Sequence, residues 1–196
     1  MNQKNINGLP LEIHYCVECN ISNQQPTTTN EYFHTYKTVQ TTIEFDGNGI
    51  CSACNFNKLK WNNVIDWEVR EKELIDLCDK HRSNDGSYDC IVGGSGGKDS
   101  AFQSHVLKYK YKMNPLTVTW APHIYTDIGW NNFHNWINEG GFDNYLYTPN
   151  GKIHRQLTRE ATINLFHPFQ PFIIGQKTFI VKMASLFNLP LIFYGE

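Results

Sequence analysis

The 196-residue sequence is poor in charge, with 18% Asp, Glu, Lys and Arg, and it has no strong bias of sign: 17 basic residues stand against 19 acidic ones, for a net charge of −2 and a pI near 6.4. That balance argues against a surface built mainly to neutralise nucleic-acid phosphates, although it leaves room for a local basic patch. No amino-terminal basic segment runs into an apolar stretch and a small-residue cleavage site, and no run approaches the roughly 20 apolar residues needed to span a bilayer. The expectation is a cytoplasmic chain with no membrane partner. Internal repeats and low-complexity tracts are also missing. Hydrophobic residues reach 40% and aromatics 14%, enough for a packed core.

The six cysteines are unevenly distributed. Cys16, Cys19, Cys51 and Cys54 form two C-x-x-C pairs, and Cys78 and Cys90 sit singly among apolar residues. In a reducing compartment such pairs favour metal or redox chemistry over disulfides, and the single cysteines read as buried thiols. Residues 1–60 are polar and lack long apolar runs, so a bound metal would compensate for a small core. From Trp61 to His81, Val64, Trp67, Leu74 and Cys78 fall on one helical face, which reads as a connecting helix. Ser83-Asn84-Asp85-Gly86-Ser87 then supplies a turn. The expected division is a four-cysteine zinc-binding module over 1–60, a connecting helix and linker over 61–84, and a second domain over 85–196.

That second domain alternates strand and helix. Tyr88–Val92, Leu116–Trp120, Phe142–Tyr147 and Leu191–Tyr194 read as strands. Lys98–Met113, Trp130–Asn138, Ile153–Phe166 and Pro171–Asn188 read as helices. The pattern predicts an α/β fold, its largely parallel sheet covered on both faces.

Between the first strand and its helix lies Val92-Gly93-Gly94-Ser95-Gly96-Gly97-Lys98-Asp99-Ser100. Backbone N–H groups in such a turn can converge on an anion. A Walker A loop would need Gly at Val92 and Ser or Thr at Asp99. A dinucleotide fingerprint starting at Gly94 would need Gly at Asp99, and one starting at Gly93 fails at Ser95. What remains, Ser95–Ser100, resembles the complete SGGKDS signature of the PP-loop ATP pyrophosphatases. With Gly94 before them, Gly96 and Gly97 allow close approach to phosphate, and Ser95 and Ser100 offer hydroxyl donors. Lys98 offsets charge on departing pyrophosphate and Asp99 serves as the magnesium-side carboxylate. Thr119, Trp120 and Thr148 sit at strand ends where the rest of a nucleotide site would gather, although Trp120 reads equally well as core packing.

The cysteine pairs are separated by 31 residues. Each offers two thiolates from one knuckle, as a tetrahedral Zn²⁺ site requires, and Gly47 and Gly49 suit the tight backbone of the second. An iron–sulfur cluster and a redox dithiol are the competing readings. His14 and His34 read as ordinary histidines sooner than as spare ligands.

With both features in hand, the chain resembles the N-acetyl sugar amidotransferase family of surface-polysaccharide and nonulosonate biosynthesis (pseudaminic and legionaminic acid pathways). The resemblance is carried by Tyr15–Cys19, Gly49–Cys54, Tyr88–Ser100, Thr148-Pro149-Asn150-Gly151, Pro168-Phe169, Gly175-Gln176 and Tyr194-Gly195-Glu196. It implies a HUP-like (adenine nucleotide alpha hydrolase) PP-loop domain preceded by a small zinc-ribbon-like module. It also implies that ATP adenylates the acetamido oxygen of an N-acetyl sugar, that ammonia displaces AMP, and that a separate glutaminase subunit supplies the ammonia. The last point agrees with the lack of a cysteine placed as a glutaminase nucleophile. Family members are longer, so the resemblance leads to the expectation of a carboxyl-terminally incomplete domain, and Glu196 reads either as a site residue of a longer parent or as a frayed end. Two alternatives are a tRNA thiolation enzyme of the same loop class and a non-catalytic zinc-ribbon and nucleotide-binding scaffold.

Overall fold

Apolar residues on the second-domain strands project to both sides, and each side finds a helical cover in the computed structural model, which describes residues 9–27, 35, 41–62 and 64–195. His34 and Glu196 lie outside the described residues. The chain falls into two compact units, Met1–Arg70 and Glu71–Glu196, dividing within one helix.

In the first unit, backbone bridges join Tyr15 to Ser22, Pro26 to Thr42 and Phe45 to Cys51, all antiparallel. Helix α1 (Ser52–Trp61) follows directly, with Cys51 as its N-cap. Sequence periodicity does not reveal α1, because none of its residues is buried and it has no apolar stripe. Helix α2 runs over Trp67–His81, a later start than Trp61. The Asp66 carboxylate accepts the Glu68 and Val69 N–H groups, 3.1 Å each, and so opens the helix there.

In the second unit, β1 (Cys90–Gly93), β2 (Pro115–Trp120), β3 (Asn144–Tyr147) and β4 (Ile192–Tyr194) form a four-stranded parallel sheet in the order β3-β2-β1-β4. The helices are α3 (Lys98–His105), α4 (Asp127–Asn138), α5 (Gly151–Leu165) and α6 (Gln170–Leu186), and a π-helical turn at Val106–Lys110 extends α3. Local chemistry sets their starts. Thr126 caps α4 through Gly129 N–H, Asn150 caps α5 through Lys152 and Ile153 N–H, and Pro171 occupies the first turn of α6. The helix expected to run unbroken to Met113 instead closes at Lys112, whose φ is +56°.

Ile91, Leu116 and Val118 pack against Phe179, Ile180, Met183 and Ala184 of α6. Cys90 and Val92 turn to the opposite face, where Cys78 of α2, Leu107 and Met113 cover them. Phe133 and Trp136 of α4 join Phe142 in a third cluster. The turn before β1 is tied down by buried Asp89, which accepts Ser83 N–H and Asn114 N–H at 2.6 Å each. Strand order reverses at β1, with β2 and β3 to one side and β4 to the other. In open parallel sheets that reversal creates a crevice at the carboxyl ends of the strands. Among the described residues, no helix is long and apolar enough to cross a membrane.

Candidate functional site

The glycine-rich loop leaves the carboxyl end of β1 and becomes the first turn of α3, with Gly97 as N-cap. No side chain caps that turn, so its leading N–H groups have no side-chain partner, as an anion site would need. The loop is closely walled from behind. A Cβ on Gly94 would lie 2.3 Å from Ser100 Cβ and 3.0 Å from the Trp136 ring. Gly96 has φ +81°, and its Cβ would lie 2.7 Å from Phe133 Cα and 2.8 Å from Asn132 O, backbone atoms of α4. Gly97 differs: its missing Cβ points into open space.

Ser95, Lys98 and Asp99 are exposed at the mouth. Lys98 Nζ donates to both Asp99 carboxylate oxygens, at 2.8 and 2.7 Å. So exposed an ion pair stabilises little and opens readily for a more highly charged ligand. Ser100 is buried, and its hydroxyl donates to Gly97 C=O at 3.1 Å, which braces the loop. Thr119 is buried as well. Its hydroxyl donates to Gly94 C=O at 2.7 Å and accepts from Asn144 Nδ2 at 3.0 Å, so β2 and β3 both hold the loop's first residue. The Asn144 contribution is not visible in the sequence, because Asn in a short strand has no periodic signature. Trp120 is half-buried and turned toward α6, and Thr148 is exposed just past β3. The end of β4 also reaches the loop: a Cβ on Gly195 would lie 3.2 Å from Ser100 N and Asp99 C.

In the first unit the four sulfur atoms of Cys16, Cys19, Cys51 and Cys54 lie within 4.8 Å of one another. Cys16 Sγ lies 3.9 Å from Cys54 Sγ, and Cys19 Sγ 3.7 Å from Cys51 Sγ. A tetrahedron with zinc–sulfur bonds of about 2.3 Å has sulfur–sulfur edges of about 3.8 Å. The four thiols therefore fit one tetrahedral ion, and the tight cluster favours a single centre over a multi-iron cluster. Burial alone would raise the Cys16 thiol, but backbone N–H groups of Cys19, Cys51 and Glu18 bring it down to about 6. The Cys54 thiol is pushed up, first by hydrogen bonding to Cys19 and then by burial, as expected when neighbouring thiols compete to ionise without a cation.

Asp46 shapes the second knuckle by accepting the N–H groups of Asn48 (2.9 Å) and Ile50 (3.0 Å). Of the two glycines there, Gly49 is left-handed at φ +76°. His14 lies outside the cysteine cluster and is exposed, 3.6 Å from Glu12. Cys78 and Cys90 are fully buried, and burial raises Cys78 and pushes Cys90 up to about 12, which favours the protonated thiol over the nucleophilic thiolate at both.

No family model matches the sequence. The uncharacterized protein MJ1599 of Methanocaldococcus jannaschii is 38% identical over 85 residues, which are 43% of this chain and 29% of that protein. Among solved structures, the NH3-dependent NAD synthetase from Campylobacter jejuni, in complex with nitrate, aligns with a TM-score of 0.52 at 15% identity. That alignment covers 67% of this chain and 57% of the synthetase. NMN synthetase from Francisella tularensis aligns at 0.46 and 13%, covering 60% and 50%. The chain thus spans only part of the length of each protein it matches. The parallel α/β unit has the HUP-like fold of the NAD synthetase domain.

Proposed function

We propose that this chain is an ATP-dependent amidotransferase of the PP-loop class, acting on the acetamido group of an N-acetyl sugar in surface-polysaccharide or nonulosonate biosynthesis. The observation that carries the reading is the loop Gly94–Ser100: a backbone cradle at the carboxyl end of the central strand, closed from behind by α4 and open at Gly97, with Lys98 and Asp99 at its mouth. We assign the four-cysteine zinc module to 1–60, the connecting helix and linker to 61–84, and the nucleotide domain to 85–196.

In this reading the β- and γ-phosphates of ATP lie on the N–H groups of Gly96, Gly97 and the first turn of α3. Ser95, exposed at the same mouth, donates a hydroxyl, and Thr148 lies at the next strand end. Ser100 and Thr119 hold the loop's shape through Gly97 and Gly94 carbonyls. Lys98 leaves Asp99 for the phosphates, and the freed carboxylate is an oxygen ligand of the kind magnesium prefers. Magnesium would offset charge on the leaving group.

The acetamido oxygen attacks the α-phosphorus, the Pα–O bond to the β-phosphate breaks, and pyrophosphate departs. Ammonia from a separate glutaminase subunit then adds to the activated carbon. The C–O bond breaks with its electron pair, AMP leaves, and loss of protons from nitrogen gives the acetamidino group. Attachment of AMP is needed because an amide oxygen is by itself a poor leaving group. Cys16, Cys19, Cys51 and Cys54 would hold zinc in a structural role, since four thiolates would leave it no open position.

The test is calorimetric titration of the chain with ATP and magnesium, alongside Lys98→Ala. The reading expects binding by the parent and a loss of about tenfold or more in the variant. Equal affinity in the two proteins would refute it. With an N-acetyl sugar and an ammonium salt added, pyrophosphate release that depends on the sugar would support the finer assignment, and release that depends on tRNA would replace it.

A further inference from the structure

Helix α5 carries an apolar stripe that its own chain does not cover. Ile153, Leu157, Ala161 and Leu165 recur every four residues and so share one side of the helix, yet Ala161 alone is buried. At about 3.6 residues per turn, Lys152, Arg155 and Arg159 fall on the opposite side, and all three are exposed. The stripe forms one wall of a cavity of about 700 Å³. Pro171, Ile174 and Gly175 of α6 form the other wall, and Trp120 and Tyr147, at the ends of β2 and β3, form the floor. Glu160 is the one charged residue on these walls, and it is already bonded to Arg159 at 2.9 Å and to Asn164 at 3.3 Å.

The dimensions select the occupant. From Ile153 to Leu165 the stripe runs about 18 Å along the helix, a length that suits a second helix better than a small molecule. Ile153, Leu157, Leu165, Ile174 and Tyr147 are each 43–61% exposed, and Phe166, the left-handed residue that closes α5, is 91% exposed directly beyond them. At roughly 200 Å² for a fully exposed large apolar residue, these six leave roughly 700 Å² open per chain, above the roughly 300–600 Å² of the largest patch on a typical monomer. Covered on two copies, the same residues bury roughly 1,400 Å², within the roughly 1,200–2,000 Å² of a stable interface. Stripe and cavity lie side by side on one surface, which is the self-complementarity that a twofold interface requires. The cations of α5 lie on the far side, Glu160 keeps its partners, and a net charge of −2 gives two copies little repulsion.

We infer that this face is an interface between two copies of the chain. The twofold axis crosses α5 at the level of Arg159, and the two α5 helices run antiparallel. Ile153 then meets Leu165 of the partner subunit, and Leu157 enters the hole left by the partner's Ala161. Each stripe thereby closes the other copy's cavity over Trp120 and Tyr147. The inference goes beyond the nucleotide reading and requires neither ATP nor turnover.

The experiment is sedimentation equilibrium of the full chain without ATP, from about 1 to 100 µM, since interfaces of this size hold at µM concentrations or tighter. Leu157→Glu and Leu165→Glu each place a carboxylate on the stripe, at positions 50% and 61% exposed, so neither reaches the core. The expected result is twice the chain mass of 22.7 kDa in the parent, with far-UV circular dichroism unchanged in each variant. The dissociation constant should rise about tenfold or more in both. The pairing itself is read by mild oxidation of a protein carrying both Ile153→Cys and Leu165→Cys, which should yield a covalent dimer that the parent, with its six native cysteines, does not. A parent of one-chain mass overturns the inference and leaves the face to a different protein. Variants that associate as the parent does overturn it too, as does a double-cysteine protein that cross-links no better than the parent. Failure of the nucleotide reading shows separately, as a Lys98→Ala protein whose ATP affinity is unchanged while the parent still sediments as a dimer.

Discussion

Gly96 and Gly97 are neighbours in the loop, yet the structure requires glycine at each for a different reason, and alanine substitution separates the two. At Gly96 the backbone is left-handed, which costs an L-residue about 1–2 kcal/mol. The new Cβ would also lie 2.7–2.8 Å from three backbone atoms of α4, a rigid obstacle whose relief costs about 1–3 kcal/mol. Gly96→Ala should therefore lose about 2–5 kcal/mol of stability in urea unfolding. At Gly97, φ is −66° and no atom lies within 4 Å of the missing Cβ, so Gly97→Ala should unfold within about 1 kcal/mol of the parent. Its Cβ would nevertheless stand at the start of α3, beside N–H groups that no side chain caps. ATP affinity measured by calorimetry should fall about tenfold or more in a protein that is otherwise intact. A Gly97→Ala protein that binds ATP normally would refute the cradle. A Gly96→Ala protein of unchanged stability would refute the packing of the loop on α4.

Three further outcomes follow from contacts already described. Cys51→Ser should lower zinc, counted by plasma mass spectrometry, from one per chain to well below one, and chelation of the parent should unfold residues 1–70 in circular dichroism while the parallel sheet persists. Thr119→Val removes the hydroxyl that joins Gly94 C=O to Asn144, leaving buried polar atoms unpaired, and should cost about 1–3 kcal/mol in chemical denaturation. Burial first, and then the neighbouring His123, lower the pKa of His154 below its ordinary value of 6.5. The unfolded chain binds that proton more readily, so stability contributed at neutral pH is lost as pH falls through about 6.5. His154→Gln should flatten this part of the Tm-against-pH curve, and a curve unchanged by the substitution would show that another group titrates there.

The sequence made the β-α-β unit readable because its strands are short apolar runs bounded by turn residues, and Ile91, Val92, Leu116 and Val118 are buried on one face or the other. The loop was equally plain, since six consecutive residues leave little freedom of interpretation. Helix α1 was not readable, because an N-cap cysteine replaces the usual Ser, Thr or Asp and no residue of the helix is buried. A threonine at a strand end gives no sign of whether its hydroxyl will meet a ligand or a carbonyl; Thr119 meets the Gly94 carbonyl. The cavity was invisible for a different reason. Trp120, Tyr147, His154 and Gly175 come from two strands and two helices, and no local pattern links them.

The complete burial of Cys78 and Cys90 in the second unit sets them apart from exposed Cys19 and partly exposed Cys54 of the first. Cys16 and Cys51 are buried as fully, so an alkylating or oxidising reagent acting on the folded protein meets Cys19 and Cys54 first, and with zinc bound it would act only as fast as the ion leaves. Modification would then titrate metal loss directly, and two sulfhydryls would stay protected until the parallel sheet itself opens. A maleimide mass ladder taken along a denaturation curve would thus record the melting of the two units as separate steps on one molecule.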